Sequence, residues 1–272
     1  MKEMIDFLDN KKFQPLTFRK PFSYEYKYFK FICVCPVSLA RLFLLSNKKH
    51  EICRMFNPIL FYCYDAYCGW CYGFSKIIAQ IDASYNKYVQ IEVLSGGMIL
   101  PEKPVAIAAT AAYIEKAYPT VEELTGVKFG EDYLWHIKNP AESDWYPNSE
   151  KPSIALSIFK EYYPDKQVEF SSNLQYALHF EGRDLTDNES YKHLLEKFSI
   201  NEEAFYTKLE SDEYKEKAHY EFQLCKQLQV TGFPCLLLQT SESKFYLVSR
   251  GYTDFETINN RLINILKEVT AK

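Results

Sequence analysis

Three things are scarce in this 272-residue chain, and each scarcity removes a class of protein. Cysteine is the first: eight residues, at 33, 35, 53, 63, 68, 71, 225 and 235, are too few and too irregular to staple a disulfide scaffold. Long apolar runs are the second. The stretch from Phe31 to Leu45 is interrupted by Pro36 and Arg41 and falls short of the ~18 uninterrupted residues of a spanning helix, so no stable membrane insertion is expected. The first 30 residues hold no apolar core of a secretory signal, which leads to the expectation of a cytoplasmic protein. The third is charge of one sign. A net charge of −4 and a pI near 5.8 ask for neither nucleic acid nor an anionic surface as partner.

Glycine is scarce locally, because none of the nine falls within residues 1–54. That segment carries 11 Lys and Arg against 5 Asp and Glu, while the remainder carries 21 against 31. Its aromatic and basic residues follow no helix or strand period. Residues 1–56 are therefore set apart as a basic extension, disordered or upstream of a natural start at Met55. Cys33, Cys35, His50 and Cys53 within it match no standard zinc spacing.

What remains is orderly. Ile59 to Tyr64 is an almost continuous apolar run, as expected of a strand buried on both faces. After Asp65-Ala66-Tyr67 come Cys68-Gly69-Trp70-Cys71, and then Phe74, Ile77, Ile78 and Ile81 at helical spacing. A second strand spans Gln90 to Ser95, so strand, helix and strand form a parallel crossover unit. From Pro101 to about Gln229 the pattern is helical, with helices expected near 104–118, 152–163, 166–180, 190–198, 202–209 and 212–229, and with Pro119, Pro140, Pro147 and Pro164 in the loops. Asn201 and Ser211 are expected as N-caps. A hairpin follows at 235–239 and 245–249. A last helix opens on a capping box formed by Thr253 and Glu256.

The chemistry concentrates at Cys68 and Cys71. Unpaired N–H groups and aligned peptide dipoles at a helix start favour an anion, so a thiol placed there is the attacking one. Cys71, one turn inward, is shielded and able to reach back to the Cys68 sulfur, which would resolve a mixed disulfide inside the protein. Trp70 offers a flat apolar surface beside the attacking sulfur, although packing is an equal reading of it. Phe233-Pro234 opens the next strand. A cis bond there would leave the backbone near Phe233 free to pair with a client strand beside Cys68, and a trans proline on an edge strand is the plainer alternative. Cys63, Cys225 and Cys235 are read as small core residues, although Cys235 lies near enough in sequence to the loop to suggest a regulatory disulfide. The five histidines receive no catalytic role. Tyr162-Tyr163 and Trp135-His136 are candidates for a client groove, with packing the commoner fate of such residues.

Two segments, Asp65 to Phe74 with its Cys-Gly-Trp-Cys core and Val230-Thr231-Gly232-Phe233-Pro234, resemble the DsbA-like thioredoxin proteins, particularly the FrnE-like group. The stretch from Ile200 to Glu213 resembles the helices that return from insert to core in that group. The resemblance covers about residues 57–268. It implies an α/β thioredoxin-like fold, a central mixed sheet flanked by helices, interrupted by an all-α insertion. Residues 57–100 would form the first part of that fold, 101–210 the insertion and 211–272 the second part. It also implies Cys68 as nucleophile, Cys71 as resolving thiol and Pro234 as the cis residue. Trp70, Phe233 and Pro234 are then the expected substrate contacts, and no cofactor or metal is called for. The partners would be protein or peptide thiols and disulfides, with glutathione a further candidate. The dipeptide is not the Pro-His of the strongly oxidising members, and Cys235 replaces an expected hydroxyl or apolar residue. Two other functions fit the same residues less well. A kappa-like glutathione isomerase or transferase normally has serine at the nucleophile position, and a zinc-binding interaction module would need Cys63 and Cys235 as further ligands.

Overall fold

A computed structural model describes residues 57–270 together with a two-residue strand, β1, at Leu16–Thr17. The rest of the basic extension, including Cys33, Cys35, His50, Cys53 and Met55, lies outside the described residues.

Strand β2, Ile59–Tyr64, is buried at every position, as its unbroken apolar composition requires. Helix α1, Gly69–Tyr85, leads from it to β3, Gln90–Ser95, which pairs with β2 in parallel from Ile59 opposite Gln90 to Tyr64 opposite Ser95. On its other side β2 pairs antiparallel with β4, Cys235–Ser241, placing Cys63 opposite Cys235. Strand β5, Lys244–Arg250, closes the expected hairpin, and β1 adds to its far edge. The order is β1-β5-β4-β2-β3.

Between β3 and β4 every described element is helical: α2 (Ala108–Thr125), α3 (Glu131–Lys138), α4 (Glu150–Tyr162), α5 (Gln167–His179), α6 (Lys192–Lys197), α7 (Glu202–Leu209) and α8 (Asp212–Gln227). Helix α9, Phe255–Thr270, ends the described chain. This is the α/β architecture with a mixed sheet and an all-helical interruption that the sequence led us to expect.

Several local expectations need correction. Helix α2 runs through Pro119 and stops at Gly126, whose φ of 70° ends it. The missing N–H of Pro119 removes one i→i−4 bond, and the turn beyond it is retained with Val121 buried. Helix α3 was expected to be loop, yet it buries Tyr133, Leu134 and Ile137 on one face and carries Glu131 and Asp132 at its positive end. Asn201 caps α7 through Ala204 N–H at 2.8 Å. Ser211 occupies the N-cap position of α8, but its hydroxyl donates to the Lys208 carbonyl instead of accepting from the helix. The cap of α9 is Asp254, which accepts from the N–H and hydroxyl of Thr257, so the expected box at Thr253 is displaced by one residue.

The sheet separates two apolar clusters. One joins Tyr62, Cys68, Cys71, Phe74, Ile78 and Ile81 to the helical segment, and the other holds Cys63, Cys225 and Cys235. Burying side chains the size of Phe74 or Ile78 contributes about 1.5–3 kcal/mol each and fixes α1 on the sheet. Among the described residues no helix is long and apolar enough to cross a membrane.

Candidate active site

Cys68 stands where β2 has ended and α1 begins. It is the N-cap of that helix, with extended φ and ψ of −82° and 107°, and its backbone N–H donates to the Asp65 carbonyl at 3.1 Å. Its sulfur accepts the Cys71 N–H at 3.3 Å, one of the four N–H groups that a helix start leaves unpaired. Cys68 retains 7% of its surface and Cys71 none. Both are free thiols. Burial pushes the Cys71 thiol up, and the adjacent Cys68 sulfur pushes it further, against a lowering contribution from the Asp65 backbone. The outer sulfur thus meets a helix N–H and the inner one is held as a thiol.

The second segment lies alongside. The Phe233–Pro234 bond is cis, and the Phe233 carbonyl accepts from the Cys68 thiol at 3.7 Å. The Phe233 ring rests on Gly96 at the end of β3, where an added Cβ would fall 2.0 Å from the ring. Trp70 is half-buried against Tyr252, with ring centroids 6.2 Å apart. Phe129, from the α2–α3 loop, covers the other side of Gly69, and the Tyr72 hydroxyl donates to Lys128 O in the same loop at 2.8 Å. The site is therefore bracketed by the helical insertion and by the segment following β5.

The structure brings together all five residues singled out as site residues: Cys68, Trp70 and Cys71 from α1, and Phe233 and Pro234 from the loop before β4. Among the described residues it does not bring the other cysteines, Cys63, Cys225 and Cys235, to them. Cys63 and Cys235 belong to the cluster on the opposite face of the sheet, because strand side chains alternate and Tyr62 and Tyr64 take the near face. Among the described residues no group of three His, Cys, Asp or Glu side chains is placed to hold a metal ion. Tyr163 is tied into the helical segment by its hydroxyl, which donates to Phe198 O at 2.7 Å.

Two neighbours had no role assigned from sequence. Asp65 is buried just before Cys68, and its carboxylate accepts from Tyr67 N at 3.0 Å, Met98 N at 2.7 Å and the Ser149 hydroxyl at 2.9 Å. Burial raises its pKa and these donors oppose the rise. His179, at the end of α5, stacks on Tyr72 at 5.1 Å, and Phe129 and Tyr133 meet it edge-on. Burial lowers its pKa to about 3, so the imidazole is neutral. Asp65 stands in the quoted motif and offers an Asx-turn signal, whereas His179 lies more than 100 residues along the chain from Cys68 with no local cue.

Comparison with known proteins agrees with this fold. Residues 59–262 match the model of the DSBA-like thioredoxin domain. A putative protein disulfide isomerase from Nitrosomonas europaea superimposes with a TM-score of 0.69 at 24% identity, covering 78% of this chain and 99% of its own. The cytosolic disulfide reductase DsbM from Pseudomonas aeruginosa gives 0.60 at 21%, covering 77% and 98%, and the same protein has been solved with GSH. A probable DsbA oxidoreductase from Streptomyces coelicolor gives 0.57 at 16%, covering 78% and 91%. No curated protein matches the chain. At these identities the solved structures speak to the fold, and the family model speaks to descent: the chain belongs to the DSBA-like thioredoxin domain family.

Proposed function

We propose that the protein is a thiol–disulfide oxidoreductase that exchanges disulfides with protein, peptide or small-thiol clients through Cys68 and Cys71. Cys68 attacks a client disulfide and retains one client sulfur as a mixed disulfide. Cys71 then attacks Cys68, forms the internal disulfide and releases the client thiol. Trp70, Phe233 and Pro234 frame the approach, and an extended client would pair with backbone near Phe233. The observation that carries the reading is the Cys71 N–H donating to the Cys68 sulfur at 3.3 Å while the Cys71 sulfur is sealed beneath. An outer sulfur served by a helix N–H suits attack, and an inner sulfur kept as a thiol suits resolution.

Glutathione is a candidate small client, supported by the GSH-bound structure of the Pseudomonas protein. A cytoplasmic setting is part of the proposal, and that protein is described as cytosolic. The test is catalysed reduction of insulin disulfides. Activity is expected to vanish in Cys68→Ser, and Cys71→Ser is expected to accumulate mixed disulfides at Cys68. Turnover surviving in Cys68→Ser would overturn the proposal. Glutathione binding with no dithiol turnover would point instead to a kappa-like isomerase or transferase. The potential of the pair, measured in a glutathione buffer, sets the direction of electron flow, with ~30 mV per tenfold change in equilibrium constant.

A further inference from the structure

Strand β2 delivers two tyrosines to the face that carries the cysteine pair, and Tyr62 is the deeper in the chain's approach to Cys68. Its ring lies 5.9 Å from that of Phe74 and 5.6 Å from that of Tyr64. The side chain is wholly enclosed. Its hydroxyl has no hydrogen-bond partner among the described residues; Cys71 stands one turn before Phe74 on α1, in the same buried cluster as Tyr62, and its sulfur is among the groups that raise the Tyr62 pKa. An unpaired phenolic O–H in an interior is unfavourable, and phenylalanine would fill the same space without that penalty. A hydroxyl in this position is available to a group that becomes charged only during turnover.

That group is the Cys71 sulfur. Resolution requires it as a thiolate, yet it has no access to water and burial holds it protonated. The titratable groups facing it are Cys68 at the start of α1, Tyr62 and Tyr64 on β2, and Asp65 in the intervening turn. All are acids, and a negative charge on any of them opposes one on Cys71. An anion there needs neutral donors. Resting on the thiol–disulfide reading above, we propose that the Tyr62 hydroxyl donates the hydrogen bond that stabilises Cys71 as a thiolate while it attacks, or departs from, the Cys68 sulfur.

The step balances within the dithiol and its client. Cys71 gives up its proton and attacks the Cys68 sulfur, the bond between Cys68 and the client sulfur breaks, and the Cys68–Cys71 bond forms. The client sulfur leaves with the electron pair and takes up a proton. The client disulfide has then been reduced by two electrons and the two cysteines oxidised. In reverse, a client thiolate attacks Cys68 and Cys71 departs as the thiolate. Tyr62 keeps its own proton throughout, since burial and then the nearby Cys71 raise its pKa well above the usual value.

Glutathione disulfide serves as oxidant and probe. Reduced full-length protein is mixed with it and acid-quenched at intervals, and the peptide holding both cysteines is weighed for glutathione adduct and internal disulfide. In Tyr62→Phe the adduct is expected to form at the wild-type rate and to convert about tenfold more slowly, as befits loss of a hydrogen bond to a charged group. The pH midpoint of conversion should rise by about one pH unit. Tyr62→Met removes the hydroxyl with a different shape, and Phe74→Leu disturbs the same packing while leaving the hydroxyl. The midpoint shift must be shared by both Tyr62 variants and absent from Phe74→Leu. An unchanged conversion rate and midpoint in Tyr62→Phe, or an equal shift in Phe74→Leu, would overturn the assignment. Failure of the wild type to form an adduct at Cys68 would instead overturn the thiol–disulfide reading itself.

Discussion

Around the cysteine pair, single side chains do work that their types alone do not announce. Asp65 collects N–H groups from its own turn and from the segment after β3, together with the Ser149 hydroxyl. The segment that aims Cys68 is therefore pinned at both ends by one carboxylate. His179 is the opposite case, a titratable ring enclosed by aromatics with neither nitrogen well bonded. Its pKa of about 3, against an ordinary 6.5, means that the unfolded chain binds a proton there more readily than the folded one. Stability attributable to this residue is thus intact above the unfolded value and declines as pH falls from 6.5 toward 3. The decline is up to ~1.4 kcal/mol per pH unit. Urea midpoints measured across that range should fall, on acidification, in the wild type relative to His179→Phe, which cannot titrate. A gap that stays constant with pH would mean that His179 is not held neutral by the fold.

Between elements, the close approach of the α2–α3 loop to the end of α5 decides how the insertion reaches the site. Gly130 donates its N–H to His179 O at 2.9 Å. A Cβ on Gly130 would lie 1.7 Å from the Phe180 carbonyl oxygen, a backbone atom that cannot turn aside. Gly130→Ala is therefore expected to lose about 3 kcal/mol. Because this loop carries Phe129 to Gly69 and Lys128 O to Tyr72, disulfide turnover should fall with it. Gly126→Ala is the control, since no atom stands within 4 Å and only the φ of 70° opposes it, at about 1–2 kcal/mol. Equal melting temperatures for the two variants would remove the steric argument. Such a contact joins residues 50 apart and leaves no local trace. What the sequence does show is local: the change from a continuous apolar strand to helical spacing at Cys68, the hairpin, and the Asn201 cap. Local competition explains the displaced caps, because Asp254 adjoins Thr253 and Ser211 has the Lys208 carbonyl within reach. At the site, Cys68, Cys71 and Phe233 were readable from motif spacing. Tyr62 and His179 were not, since their meaning lies in neighbours that folding supplies.

For the molecule as a whole, the question is what keeps a long helical interruption fixed to a small sheet. Among the described residues strand β3 is an edge strand, and edge strands leave a row of unpaired backbone groups. Here the helical segment stands in for the missing neighbour. Val93 N donates to Gln167 Oε1 at 3.0 Å and Ser95 N to Glu221 Oε2 at 2.8 Å, while Val93 O accepts from the Lys160 ammonium. Lys160 from α4 also pairs with Glu92 of β3 at 3.0 Å and with Glu221 of α8 at 2.6 Å, all buried. Burial alone would lower the Lys160 pKa, but the two carboxylates outweigh it and raise it. Burial raises that of Glu221 against the opposing pull of Lys160. One ammonium thus serves two buried carboxylates, so its removal leaves both uncompensated. Lys160→Met is expected to destabilise by about 3–5 kcal/mol at neutral pH. Burial already raises the Glu221 pKa against the pull of Lys160, so without the ammonium it stands further above its unfolded value, and the destabilisation is full above the folded value and recedes as pH falls and this carboxyl takes up a proton. The double variant Lys160→Met with Glu221→Gln, which removes one of the stranded charges, should recover part of the loss at neutral pH and respond less to acid. Urea unfolding at neutral and mildly acidic pH distinguishes these outcomes. A Lys160→Met protein whose deficit is the same at both pH values would show that the helices are held to β3 by packing and not by this charge.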